Sequence, residues 1–262
     1  MIQPASFHIF LWVMLVCAII VFISLYFVRA GYGMLRDGKW GPQINNKLGW
    51  VLMEAPVFIV MCVLCLCSPR RDDAVCLVFF GLFQLHYLNR SFIYPFLLKG
   101  HSTMPIGIIV MGVVFNILNA CMQGGWIFYF APENYYTTAW LTSPQFIIGT
   151  LVFFTGMAIN IHSDHVIRNL RKPGDTKHYL PQKGIFRYVT SANYFGEIVE
   201  WTGFAILTWS AAGAVFAIWT FANLVPRSDA IYKRYHEMFA EELKEKPRKR
   251  IIPFIYLSLI HI

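Results

Sequence analysis

The stretch Ile198–Val225, IVEWTGFAILTWSAAGAVFAIWTFANLV, decides how this chain is threaded. It is 28 residues of almost unbroken apolar sequence, whereas a bilayer is crossed by about 20. Gly213 lies near its middle. One long tilted helix would put the residues that follow on the far side of the membrane. Two short helices would return the chain to the side it came from. The parity of the fold, and the side on which the basic C-terminal segment lies, turn on that choice.

The rest of the sequence leaves no doubt about the solvent. Of 262 residues 57% are hydrophobic, 17% aromatic and only 14% charged, against about 25% charged in soluble domains. An intrinsically disordered chain and an ordinary soluble fold are both excluded. Five further runs are long enough to span: Phe7–Val28, Leu48–Ser68, Ala74–Ile93, Ile106–Phe130 and Pro144–Ile161. The first is too long for the apolar part of a signal peptide, lacks a basic segment before it and is followed by Arg29 and Arg36. It reads as a retained span.

Charge chooses between the two threadings. The chain carries 22 Lys and Arg and a net charge of +8, with no Lys or Arg before Arg29 and eight between Arg227 and Arg250. With the N-terminus outside, the segments Arg29–Lys47, Arg90–His101 and His162–Ser191 face the cytoplasm. If Ile198–Val225 crosses twice, 20 of the 22 basic residues lie on that one side, as the positive-inside rule requires. If it crosses once, the eight C-terminal cations land outside. The expectation is therefore one all-α integral membrane domain of seven transmembrane helices, N-terminus outside and C-terminus cytoplasmic. No internal repeat or long linker divides it.

Two polar clusters interrupt the lipid-compatible sequence. Ionisable groups within spans are costly and ordinarily face the bundle interior with a partner. Glu54 stands about 9 Å into the second span at 1.5 Å per residue, and Tyr87 is at a similar depth on the antiparallel third span, with His86 and Arg90 beside it. A carboxyl kept from water favours its neutral form, so Glu54 and Tyr87 would offer hydrogen-bond donors in an apolar cavity. The same spacing fits a structural Glu54–Arg90 pair. The second cluster lies at the cytoplasmic ends of the later helices. Asn160, Asp164 and Arg168 share one helical face, as do Asn193, Glu197 and Glu200. Arg171 and Lys172 follow the first set, and Arg227 and Tyr235 follow the last span. Amides, carboxylates and cations on three helix ends suit a polyanion with sugar hydroxyls, a dinucleotide above all. A salt-bridged, solvated interface would use the same residue types.

Other motifs are absent or incomplete. Gly31-Tyr-Gly33 lacks the third glycine and the βαβ setting of a dinucleotide fingerprint, so the fold holds no Rossmann domain. Cys62, Cys65 and Cys67 have no nearby His or carboxylate to complete a metal shell, and His162-Ser-Asp-His165 has no second cluster. No metal is expected. The aromatic and basic residues from Tyr232 to Arg250 suit anionic lipid or the setting of orientation rather than nucleic acid.

The residues resemble the steroid 5α-reductase family. The likeness is densest in Asn160-Ile-His-Ser-Asp164, Leu170-Arg-Lys-Pro-Gly174, Ser191-Ala-Asn-Tyr-Phe-Gly-Glu-Ile-Val-Glu-Trp201 and Ile252-Pro-Phe-Ile255. Upstream it takes in Gly31-Tyr-Gly33, Glu54-Ala-Pro56 and the stretch from Leu85 to Tyr94. The resemblance implies seven transmembrane helices and NADPH-dependent saturation of the Δ4 double bond of 3-oxo steroids. It implies that Glu54 and Tyr87 hydrogen-bond the steroid C3 carbonyl. It places Asn160, Asp164, Arg171, Asn193, Glu197, Arg227 and Tyr235 around NADPH, and Tyr32, Arg90, Tyr94 and Asn119 nearby. Met53, Met111, Tyr179 and Ile231 stand where a family member has glutamine, arginine, arginine and histidine.

On this reading residues 1–131 form the substrate side and 144–256 the cofactor side of a single domain. A steroid would enter from the bilayer of the endoplasmic reticulum in a eukaryote, or of the inner membrane in a bacterium, to a monomeric enzyme. Enoyl-thioester reduction is the alternative within the same superfamily. A membrane methyltransferase is a looser relative, and a transporter would leave the cytoplasmic polar cluster without a use.

Overall fold

A computed structural model describes residues 4–28, 31, 33–35, 39–99, 102–171 and 177–254. The architecture is all-helical apart from one two-stranded ribbon. Helix α1 covers Pro4–Phe27. Helix α2, Asn46–Leu66, starts where the Asn45 side chain accepts from the Lys47 and Leu48 amides, satisfying donors that have no partner within the helix. Helix α3, Ala74–Leu88, begins the same way under Asp73. It runs on through a π-helical turn, Asn89–Ile93, into α4, Tyr94–Leu97. Strands β1, Gln43–Asn45, and β2, Thr103–Pro105, pair antiparallel with Ile44 opposite Met104, tying the starts of α2 and the next helix together.

Helix α5, Ile106–Gly125, ends in a second π turn, Trp126–Phe130. Helix α6, Pro144–Arg168, extends two turns past the apolar run that announces it, carrying Asp164 and Arg168 on helix rather than on loop. Helix α7, Ala192–Thr208, and α8, Ala211–Met238, resolve the ambiguous 28-residue run into two helices. The break does not fall at Gly213, which lies in the first turn of α8. It falls at Trp209, whose φ of 44° is left-handed, and at Ser210, whose hydroxyl caps the Gly213 amide. A short α9, Ala240–Glu245, follows.

Among the described residues four helices are long and apolar enough to cross a membrane: Ala5–Phe27, Asn46–Leu66, Ile106–Phe130 and Pro144–Arg168. One face of α1 leaves Ile9, Trp12 and Ile20 more than half exposed, as expected of side chains that face lipid. The other face packs on α8, where the Trp219 indole donates to the Met14 carbonyl at 2.6 Å.

The closest helix pairing is α6 on α7, and its cause is glycine. Gly149 and Gly156 of α6 face α7, and Gly196 and Gly203 of α7 face α6. A Cβ on Gly156 would lie 2.1 Å from the Glu200 backbone nitrogen, and one on Gly196 2.5 Å from that of Asn160. Small residues let helices associate in lipid, where burial alone gives no drive. The turn between α7 and α8 is closed by the 131–143 loop. Tyr136, Trp140 and Tyr135 donate to the carbonyls of Thr208, Leu207 and Trp209 at 2.5, 2.9 and 2.8 Å, groups that the helix end leaves without partners. A core of Phe79, Phe83, Phe153, Trp201, Phe204 and Phe216 fills the centre.

Candidate active site

The cluster around Glu54 and Tyr87 is built by α2, α3 and α5. Pro56, inside α2, has no N–H to offer the Leu52 carbonyl one turn back. Gly112 lets α5 approach, since a Cβ there would stand 2.3 Å from Met53 Cγ. Across that contact the Asn116 amide donates to the Met53 carbonyl at 2.7 Å and to Glu54 Oε2 at 3.1 Å. One turn on, Asn119 Nδ2 donates to the Tyr87 hydroxyl oxygen at 3.0 Å. Tyr87 and Asn119 are buried. Glu54 and Tyr87 share this region, as their matched depth predicts, but each takes its hydrogen bond from an α5 asparagine. Helix α5 thus places an amide beside each of them.

Arg90 does not serve Glu54 as a salt-bridge partner. The π turn carries its guanidinium across to the later helices, 3.2 Å from Asp164 Oδ2 and 3.2 Å from Glu197 Oε1. Such turns re-aim side chains within helices and are frequent at functional sites. Its flat face lies 4.4 Å from the Trp50 ring centroid and 4.8 Å from that of Tyr94, within cation–π range. Arg90 therefore joins α2, α4, α6 and α7 at one point. Asn160 Nδ2 donates to the Asn193 carbonyl at 3.0 Å and to Glu197 Oε1 at 3.2 Å, and the Asn193 side chain lies beside Asp164. The sequence-derived set Asn160, Asp164, Asn193, Glu197, Arg90 and Tyr94 is thus one connected cluster. Arg168 joins its edge, 5.9 Å from the Tyr94 ring.

The cationic residues stand further toward the helix ends. Arg227 donates to the Tyr194 hydroxyl at 3.3 Å. Arg171 donates to His178 Nδ1 at 2.7 Å. Partial desolvation, then the Arg171 and Arg234 charges, hold the His178 pKa below the ordinary imidazole range, which keeps the accepting nitrogen free of a proton. Tyr235 sits in a small satellite core with Leu180 and Leu243. The C-terminal segment returns over this end: Lys249 donates its amide to the Tyr188 carbonyl, Thr190 to that of Lys249 and Ser191 to that of Arg250. Arg250 pairs with Asp229 at 3.1 Å. Tyr32 and Lys172 lie outside the described residues.

Sequence reading missed three participants. Asn116 is a lone amide in an apolar run, legible only once its neighbour across α2 is known. Trp50 gives no polar signal. His86 bonds Glu200 through Nδ1 and Oε1 at 2.8 Å, both buried, across 114 residues of chain, and no local pattern announces such a pair.

Whether these residues suit a dinucleotide can be tested on the structure itself. Ser191 Oγ, at the N-terminus of α7, is buried without a hydrogen-bond partner. Arg171 donates to an imidazole nitrogen of His178 and Arg227 to the phenol oxygen of Tyr194. Cations of that kind, beside buried amides and carboxylates that can meet hydroxyls and a carboxamide, fit a phosphorylated dinucleotide.

The sequence model of a family described as 3-oxo-5-alpha-steroid 4-dehydrogenase matches residues 102–256. The chain is 41% identical over 218 residues to the human protein named 3-oxo-5-alpha-steroid 4-dehydrogenase 1, covering 82% of each chain. It is 36% identical over 254 residues to Steroid 5-alpha-reductase DET2 of Gossypium hirsutum, covering 95% of this chain and 97% of the relative. It is 37% identical over 238 residues to 3-oxo-5-alpha-steroid 4-dehydrogenase 2 of Sus scrofa.

Proposed function

The chain belongs to the 3-oxo-5-alpha-steroid 4-dehydrogenase family, oxidoreductases acting on a CH–CH group, and we propose that it reduces the Δ4 double bond of 3-oxo-Δ4 steroids with NADPH to give 5α-reduced 3-oxo steroids. The observation that carries this reading is the pairing of a Glu54–Tyr87 donor set with the Asn160–Asp164–Asn193–Glu197 cluster through Arg90.

Reduction of an enone places negative charge on the carbonyl oxygen when the β-carbon is attacked. When bound, NADPH supplies the hydride for that carbon, C5, and one proton drawn from the medium is taken up at C4 as the saturated ketone forms. Tyr87 offers its hydroxyl proton to the C3 oxygen, and Glu54 in its protonated form offers a second donor from the opposite helix. Donors aimed at developing charge in a dry site each contribute about 10²–10³ in rate. The apolar walls exclude water, which strengthens those hydrogen bonds. Asn160, Asp164, Asn193 and Glu197 would hold the sugar and carboxamide end of the cofactor, and Arg168, Arg171, Lys172 and Arg227 would offer charge to its phosphates, with Tyr235 as a further contact. Arg90, Tyr94 and Asn119 would contribute to the substrate pocket, a role the family resemblance extends to Tyr32.

The reading includes the membrane arrangement. Seven spans, with the N-terminus outside and the C-terminus cytoplasmic, are supported by the division of Ile198–Val225 into two helices and by the one-sided charge. The substrate side, about 1–131, and the cofactor side, about 144–256, act as one domain. The steroid enters from the lipid, and the enzyme works as a monomer in the endoplasmic reticulum membrane of a eukaryote or the inner membrane of a bacterium. The test is an assay of the purified protein with NADPH, 3-oxo-Δ4 steroids and a trans-2-enoyl thioester, with product stereochemistry at C5. Steroid-dependent NADPH oxidation yielding the 5α product is expected; oxidation with the thioester alone would overturn the reading.

A further inference from the structure

Three buried amides lie along one face of α5: Asn116, Asn119 and Gln123, at i, i+3 and i+7. Gln123 is accounted for as a fastening, since its Nε2 donates to the Ala212 carbonyl at 2.9 Å and ties α5 to α8. The other two touch the groups placed at the reacting carbonyl, and the direction of their hydrogen bonds carries information. Asn116 Nδ2 faces two acceptors, the Met53 carbonyl and Glu54 Oε2, so its NH2 end is fixed by chemistry as the donor. Asn119 places Nδ2 on the Tyr87 oxygen and leaves its own Oδ1 buried without a partner.

A phenol and a protonated carboxyl each carry one proton to give and lone pairs to fill. If a neighbour accepted either proton, that group would be spent on the protein and would have nothing to offer a ketone. Here both neighbours donate. The Glu54 oxygen that receives Asn116 is Oε2, which leaves Oε1 to carry the proton. The Tyr87 oxygen receives Asn119, which leaves its O–H to turn elsewhere. The donated bonds also stabilise the charge that gathers on each oxygen as its proton moves toward substrate, because a hydrogen bond to an ionised acceptor is roughly twice as strong as one to a neutral acceptor.

We propose that Asn116 and Asn119 are positioning residues that set hydrogen-bond polarity, donating to Glu54 and Tyr87 so that both protons remain free for the substrate carbonyl. This deepens the reductase reading and rests on it.

The experiment uses the full-length enzyme in detergent or nanodiscs with NADPH and a 3-oxo-Δ4 steroid. Asn119→Leu keeps nearly the size of the side chain and removes its donor. It is expected to lower kcat about tenfold with KM nearly unchanged, and Asn116→Leu to do the same. The deciding readout is the double variant. In a Tyr87→Phe background Asn119→Leu should cost no further kcat, and in a Glu54→Gln background Asn116→Leu should cost little more. NADPH binding and thermal stability, measured on every variant, report folding independently. Full turnover in Asn119→Leu, or losses that multiply with Tyr87→Phe, overturn the inference while the reductase reading stands. Undiminished turnover in Tyr87→Phe itself overturns that reading instead.

Discussion

The Arg90 guanidinium stands 3.2 Å from Glu197 of α7 while its face rests on Trp50 of α2. It is a charged bolt between the half of the molecule that carries Glu54 and the half that carries Asn160. With Asp164 as a second carboxylate partner, it ties α2, which carries Glu54, to α6 and α7, which carry Asn160 and Glu197. Arg90→Lys keeps the charge and loses both the fork and the flat face. Turnover should fall by about tenfold or more, with a smaller effect on the NADPH dissociation constant, because orientation rather than binding is lost. Single-turnover kinetics separate the two.

Glu54→Gln and Tyr87→Phe should each lower kcat about 10²–10³ and leave NADPH binding intact, since on the proposed reading both side chains meet the steroid carbonyl and not the cofactor. Fluorescence titration of the cofactor alongside turnover checks this. Equal losses in binding and turnover would move the two residues out of the role assigned to them.

Arg171→Ala and Asn193→Ala should act in the opposite way, weakening NADPH. A hydrogen bond to a charged group is worth about 1.5–3 kcal/mol, so the dissociation constant should rise roughly tenfold to a hundredfold. The Arg171 effect should shrink when NADH replaces NADPH if its target is the additional phosphate.

The His86–Glu200 pair predicts an asymmetry of stability. Glu200 is fully buried and His86 nearly so, so removing one partner by His86→Leu or Glu200→Leu strands the other away from water, at about 3–5 kcal/mol. Replacing both with leucine should be milder than either alone. Thermal unfolding of the detergent-solubilised protein measures this, and additive losses would show that the pair is not coupled.

Gly156→Leu should prevent α6 and α7 from closing, because even a Cβ meets the Glu200 backbone at 2.1 Å. The expected result is loss of folded, monodisperse protein rather than a kinetic change. Size-exclusion chromatography reads it directly, with Gly81→Leu as the control, where a Cβ would meet nothing within 4 Å.

Hydropathy made the helical runs legible, because lipid accepts few polar side chains and the runs had to be long. It placed Ala74–Ile93 correctly as a start but could not show the π turn at Asn89–Ile93, since one extra residue in a turn leaves composition unchanged. The break in Ile198–Val225 was legible from charge but not its position: Gly213 drew attention, whereas Ser210 supplies the cap and Trp209 takes the left-handed backbone. Asn160, Asp164, Asn193 and Glu197 were legible from helical spacing near a membrane face. Asn116 and the His86–Glu200 pair were not, because what makes them informative is a neighbour on another helix.

The pairing of residues 249–250 with 188–191 has a consequence for biosynthesis. Helices α6 and α7 can close on their glycines as soon as both have left the ribosome, yet the rim beside Ser191 waits for Lys249 and Arg250. On the proposed reading, cofactor affinity would then be acquired only once Lys249 and Arg250 have emerged, and a nascent chain stalled before Arg248 would carry its hydrophobic interior nearly complete but the rim beside Ser191 unlatched.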